Sequence, residues 1–379
     1  LPSPDAKLPP SVHESLLRIR TRIELEAAQN SLLPSRFTLS GPQTLRRLFD
    51  ELSRQTGNTL DLSPISPSLL DSPANPEFEN TPYWQALDQI ARSHKLTLVA
   101  RSGAPLQLRP QSSTDSQLPP LDSSGSVRIC WDSTELVSPP DKTAPPFLRC
   151  HLSLSLEPRL RGLYGTLRPK DCRLTTSDGK KISPLNPQAT FEIPFGEGGK
   201  TLSLSLDYVL PSGDLPSALQ FTGSCDLEIA AGEERFEFSR LNNPGSRQLR
   251  KGNVQVTMQP VTMQPELLQN PAQTDSKNGD SISRYTLLVR YDTAGPPFES
   301  HRLWIYHNRT FIQLPDQREL LPSGFETLLS QGRTVGLNYD FPLAPEDRDS
   351  AVLVYIAPTR ILTHTVDFRF PPVRFSPAK

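Results

Sequence analysis

Three stretches of this 379-residue chain carry residue types at spacings that invite a chemical reading. Gly196-Glu197-Gly198-Gly199-Lys200-Thr201 ends in the Gly-Lys-Thr of a phosphate-binding loop. Such a loop needs a glycine where this chain has Pro194, and it must open a helix, yet the alternating run Leu202 to Leu206 follows. A β-turn is therefore expected. His301 and His307 share one face of a regular strand with Glu299, but at ~3.3 Å per residue the imidazoles stand about 20 Å apart, too far for one ion. His13-Glu14 lacks the second histidine of a zinc-protease helix, and no Gly-x-Ser-x-Gly elbow occurs. Trp304 and Tyr306 fall together on the other face of the predicted strand Arg302 to His307, which makes them a candidate partner platform. Glu233, Glu234, Glu346, Asp347 and Asp349 cluster at predicted turns, where solvation accounts for them. No catalytic residue, metal ligand or cofactor emerges, and the chain is read as no enzyme.

Four cysteines, Cys130, Cys150, Cys172 and Cys225, form no CxxC pair. Cys150 runs in phase with Leu148, Leu152 and Leu154, Cys172 with Leu174, and Cys225 with Leu227 and Ile229, whereas Cys130 opposes Ile129 and Trp131. Three thiols thus point inward. They are either buried reduced thiols acting as small hydrophobes or, for one pair, a disulfide, with Cys172 and Cys225 the candidate partners.

A proline count of 40 against 20 glycines exceeds ordinary usage and argues against a mostly helical chain. A net charge of −1 provides no field to draw in nucleic acid, and no run approaches the ~20 apolar residues of a membrane span. The opening LPSPDAKLPP, with no initiator methionine, suits an extracytoplasmic chain, periplasmic or secreted, whose signal peptide has been removed.

Two helix signals interlock with strand signals between Phe37 and Arg109. Ser40 or Gly41 can cap a helix with Pro42 in its first turn; Leu45, Leu48, Phe49 and Leu52 form its apolar face and Gly57 its left-handed cap. A second helix, capped by Asn80 or Thr81 with Pro82 following, presents Trp84, Leu87, Ile90 and Ala91. Strands are expected at Thr38 to Leu39, Thr59 to Leu62, Glu77 to Glu79, Leu96 to Ala100 and Leu106 to Leu108. Ser11 to Asn30 reads as a further helix, with Leu16, Ile19, Ile23 and Ala27 packed on this module.

The Leu45-x-x-Leu48-x-x-x-Leu52-x-x-x-x-Gly57 helix, the Trp84-Gln85-Ala86-Leu87-Asp88-Gln89-Ile90 helix and the Leu96-Thr97-Leu98 strand resemble the short N-terminal domain of secretins and TonB-dependent receptors, over residues 36 to 109. Here Ser63 to Pro76 is longer and richer in proline than the family's connection, and no secretin pore or barrel follows. The resemblance implies a protein-docking unit outside the cytoplasm. Beyond it, Trp304 to Asn308 and Glu234 to Phe238 are similar to segments of multi-domain bacterial envelope proteins that join such a module to β-sandwiches.

The expected architecture is multi-domain and mainly β: a leader and helix (1–34), the α+β module (35–110), a linker (111–126), and two β-sandwiches of immunoglobulin-like kind (127–260 and 261–379). The tandem VTMQP-VTMQP, Val256 to Pro265, marks the joint between the sandwiches, and Phe325 to Leu329 reads as a short helical turn. The expected function is docking or scaffolding in the envelope through a protein partner. Leu106, Gln107 and Leu108 are the expected edge strand for partner addition, with Trp304 and Tyr306 as a second candidate contact. A sandwich face that binds or cleaves carbohydrate is the alternative.

Overall fold

The structure is a computed structural model that describes residues 10–99, 105–112, 121–140, 145–210, 216–260, 282–292 and 303–374. It is mainly β, with several sheets and few helices. Two compact units divide the chain: 1–231 with 362–379, and 232–361.

Within the first unit, helix α1 (Pro10–Ser31) precedes the α+β module. Ile19 and Ile23 of its apolar stripe are exposed rather than packed on that module; among the described side chains, Ala28 and Leu32, near its C-terminal end, are the buried ones. Leu32 joins the core of the sandwich instead, and its carbonyl accepts from Ser126 Oγ. The module contains β1 (Arg36–Ser40), β2 (Gln43–Thr44), α2 (Leu45–Thr56), α3 (Pro67–Leu70), β3 (Pro73–Ala74), β4 (Glu77–Pro82), α4 (Tyr83–Ser93), β5 (Leu96–Val99) and β6 (Gln107–Pro110). α2 starts later than Pro42 because Gln43 and Thr44 pair with Ala74 and Pro73; Thr44, not Ser40, then caps the helix by accepting from Arg47 N. At the other end Gly57 adopts φ 69° and its N–H returns to Ser53 O, as its position predicts. α4 has no side-chain cap; Tyr83 N donates to Ser35 O at 2.9 Å. Both apolar faces meet in one core with Phe37, Phe78, Leu106 and Leu108. The proline-rich passage contributes to it too, through Ile65 and Leu70.

The sandwich of this unit sets β7 (Leu121–Ser124), β8 (Val127–Val137), β9 (Phe147–Leu156) and β14 (Thr201–Val209) in one antiparallel sheet. Leu121–Ser124, inside the stretch expected to be linker, is thus a strand paired with Val127 to Cys130. Facing it are β10 (Arg161–Leu167), β11 (Arg173–Thr176), β12 (Lys181–Ile182), β13 (Phe191–Pro194) and the start of β15 (Ala218–Ser239). Trp131, Leu152, Leu204, Leu174, Phe221 and Leu227 belong to the single core between the two sheets, as the alternation of each strand requires.

In the second unit the sheet runs β16 (Arg247–Lys251), β17 (Val254–Pro260), β18 (Ile282–Tyr291), β22 (Thr334–Pro342), β21 (Gly324–Gln331). Val254 to Met258 was expected to close the first sandwich; it pairs with Tyr291 to Leu287 here, so this unit begins at Gly232 rather than near residue 261. The second VTMQP copy lies outside the described residues. β19 (Thr310–Gln313) pairs with β20 (Glu319–Leu320) and with Val352 to Tyr355 of β23 (Val352–Arg369). The chain from Leu362, including β24 (Val373–Arg374), returns to the first unit.

Candidate protein-docking surface

Leu106, Gln107 and Leu108 do not form a free edge. Leu98 pairs with Leu108 and Val99 with Gln107 on one side. On the other, Asp61 N donates to Leu106 O at 2.8 Å, Leu108 N to Asp61 O at 3.0 Å, and Gln107 Nε2 to Asp61 Oδ2 at 2.7 Å. Leu106 and Leu108 are buried in the module core.

Trp304 and Tyr306 lie on a 3₁₀ turn, Leu303–His307, rather than on a strand, so period-two alternation does not place them together. Trp304 is buried edge-on against Tyr291, their ring centroids 5.5 Å apart. Tyr306 is half-buried and stacks on Phe325 at 5.9 Å. His301 and Glu299 lie outside the described residues. All four cysteines are free thiols, Cys172 and Cys225 included. Cys130 is buried as well, against its predicted phase, because α4 covers that side of β8: Arg128 bridges Asp88 of α4 at 3.1 Å and donates to Cys130 Sγ. Burial pushes the thiol of Cys130 up to about 11 and those of Cys150, Cys172 and Cys225 to about 12.

Lys200 of the would-be phosphate loop donates to the carbonyls of Pro158 and Leu160, 2.6 Å each. Gly199 has φ 67°, and a Cβ there would stand 2.7 Å from Gly162 O, so this glycine serves a tight turn. A constellation that sequence reading missed joins β14, β9 and β8: Ser205 Oγ meets His151 Nδ1 at 2.9 Å, and His151 Nε2 meets Glu135 Oε1 at 3.1 Å. Next to it Ser153 Oγ donates to Asp132, whose carboxyl is raised by burial. A nucleophilic serine needs free donors converging where an oxyanion would form. Ser205 instead lies directly opposite His151 in the continuous ladder of β14 and β9. The group reads as cross-strand polar pairing on a solvent face. Among the described residues no three His, Cys, Asp or Glu side chains gather to hold a metal ion, and no helix is long and apolar enough to cross a membrane.

Among the described residues, β21 is a sheet edge with an exposed apolar surface. It was expected to be a helical turn, but the two-residue reversal at Gly332-Arg333 lays it antiparallel to β22, and the interrupted run Phe325, Leu328, Leu329 takes strand geometry from that neighbour. All eight of its residues are exposed, with Phe325 at 51%, Leu328 at 53% and Leu329 at 40%. Leu328 sits in a bulge where the register shifts between Thr327 and Leu329. Gly336 of β22 is buried, and the lack of a Cβ there lets these leucines pack closely over the backbone. Leu288 Cδ2 stands 3.0 Å, Leu329 Cβ 3.4 Å and Leu328 Cβ 3.6 Å from where a Cβ of residue 336 would be. Glu326 lies 3.9 Å from the Arg284 guanidinium, which also makes a bidentate bond to Asp340.

The two ends of this sheet differ in kind. β16 carries Arg247, Arg250 and Lys251, the charges that discourage edge-to-edge pairing. β21 has neither lysine nor proline within it. Fold and surface together define a mainly-β, multi-domain protein with an apolar sheet edge. No protein-family model and no curated protein matches the chain.

Proposed function

We propose that this protein is a non-enzymatic docking or scaffolding protein of the bacterial envelope, whose partner contact is strand addition at β21. One observation carries the reading: an edge strand whose eight residues are all exposed, apolar at Phe325, Leu328 and Leu329, and lacking the basic side chains that blunt the opposite edge. The burial of Trp84, Trp131 and Trp304 supports it further, since a carbohydrate-binding face would turn such rings outward. The envelope location rests on the resemblance of residues 36 to 109 to the secretin and TonB-dependent receptor module. The β-units are read as immunoglobulin-like sandwiches.

The test compares partners recovered from envelope extract by the full chain, by Leu328→Lys, and by Val209→Lys, an exposed position on β14 in the other unit. Partners lost with Leu328→Lys and kept with Val209→Lys are the expected outcome. Identical recovery by all three would overturn the assignment of β21. Removing the module would be a poor substitute, because Trp84 Nε1 donates to Ser126 O at 2.9 Å and Glu157 bonds Ser35 and Asn58, so truncation would strip buried partners from the sandwich.

A further inference from the structure

We infer that β21 pairs antiparallel with β21 of a second copy of this chain, about a two-fold axis near Leu328. The inference rests on the docking reading above and names an occupant for the same edge. An isologous contact requires one surface to complement itself, and an antiparallel strand pair meets that requirement when its apolar residues lie on both sides of the axis. In β21 they do: Phe325 precedes the bulge, and Leu328 and Leu329 occupy it and follow it. Centred on Leu328, the pairing sets Leu328 against its own mate and Glu326 against Ser330 of the second copy. Glu326 is the strand's single charge. The antiparallel arrangement therefore opposes no like charges, whereas a parallel in-register one would place the two Glu326 carboxylates side by side.

Magnitudes indicate how tight such a dimer is. Eight residues at ~3.4 Å each give a seam of ~27 Å. A single seam of that length falls below the ~1,200 Å² at which stable interfaces begin, which places it with weak, concentration-dependent contacts. The bulge weakens it further by dividing the regular edge into Gly324 to Thr327 and Leu329 to Gln331. Association in the micromolar range is expected, with the free chain monomeric when dilute.

The experiment is sedimentation velocity on the full chain across a concentration series, with Leu328→Lys, Leu329→Lys and Ile23→Lys as variants. All three positions are exposed, so folding is retained and is checked by the melting temperature. The wild type should shift from monomer to dimer with concentration. Leu328→Lys and Leu329→Lys should each weaken the dimer about tenfold or more, and Ile23→Lys, on the exposed stripe of α1, should leave it unchanged. Amide exchange across Gly324 to Gln331 should slow as dimer accumulates. A wild type that stays monomeric to its solubility limit overturns self-pairing, while strand addition by a foreign partner is judged separately by the recovery experiment. A dimer that survives both leucine variants, or is lost in Ile23→Lys, also overturns it.

Discussion

Replacing Glu157 by alanine should undo the attachment of the α+β module to its sandwich. Glu157 follows β9, and its side chain has no exposed surface. It accepts from Ser35 N at 2.9 Å, Ser35 Oγ at 2.7 Å, Asn58 Nδ2 at 3.2 Å and Arg159 Nε at 2.6 Å. Arg159 also donates to the carbonyls of Ser31 and Leu33, and its backbone N–H donates to Asn58 Oδ1. One carboxylate thus satisfies donors from the start of β1, from the segment after α2 and from the turn after β9. Deleting it removes the acceptor of Ser35 N and Ser35 Oγ, leaves Asn58 Nδ2 with Ser35 Oγ alone, and leaves a guanidinium, 21% exposed, without its counter-charge. Breaking a buried ion pair by removing one partner costs about 3–5 kcal/mol, a large part of the ~5–15 kcal/mol that holds a domain folded. At roughly 2–4 °C per kcal/mol for a unit of this size, calorimetry should show the melting temperature falling by roughly 6–20 °C. Glu157→Gln, which keeps an oxygen acceptor but loses the charge, should fall between the two. Arg54→Ala, removing an exposed i,i+3 pair with Glu51, should produce no measurable shift. A drop below about 2 °C for Glu157→Ala would mean that water replaces the carboxylate without penalty, and the argument from burial would be refuted.

Native thiols should resist alkylation at neutral pH, because burial keeps all four protonated, and all four should react in denaturant. Rapid labelling of one thiol in the native state would contradict the burial of that cysteine. The same raised values yield stability that is complete below the unfolded thiol range, ~8.5, and is lost as pH climbs toward the folded values. At the other end, desolvation lowers His364 and, less buried, His94. A depressed histidine contributes stability that is full above the unfolded value of ~6.5 and is lost as pH falls through the folded one. Melting temperature should therefore decline below that point, less steeply in His364→Gln; an unchanged slope in that variant would assign the decline elsewhere.

How much of this was legible in the sequence depended on whether a neighbour decided the structure. α2 and α4 declare themselves by Leu45, Leu48, Phe49 and Leu52 and by Trp84, Leu87 and Ile90, all buried, because a helical stripe is a local property. The alternation of β9 and β14 likewise placed Cys150 inside. Cys130 was misplaced since its cover comes from α4, a distant element. Helix starts slipped where a remote strand intervened: Pro73 and Ala74 draw Gln43 and Thr44 into pairing. The Glu157 network was invisible for the same reason, joining side chains about a hundred residues apart.

Edges are the hardest feature to read, and the proposed function turns on them. Whether a strand lies inside a sheet or at its border is set by which other strands arrive, not by its own residues. Leu106 to Leu108 has the prolines Pro105 and Pro110 around it, as a protected edge would, yet Asp61 occupies its outer side. β21 has the spacing of a helical turn, Phe325 with Leu328 and Leu329, and becomes a strand because the Gly332-Arg333 reversal sends the chain back along it. What sequence does carry is the contrast between the two borders of that sheet. An edge held only by folding constraints is free to gather lysines and arginines, as β16 has; an apolar edge exposes the chain to association with anything that offers a strand. The absence of lysine and arginine within β21, set against their presence in β16, is the contrast on which the proposed strand addition rests.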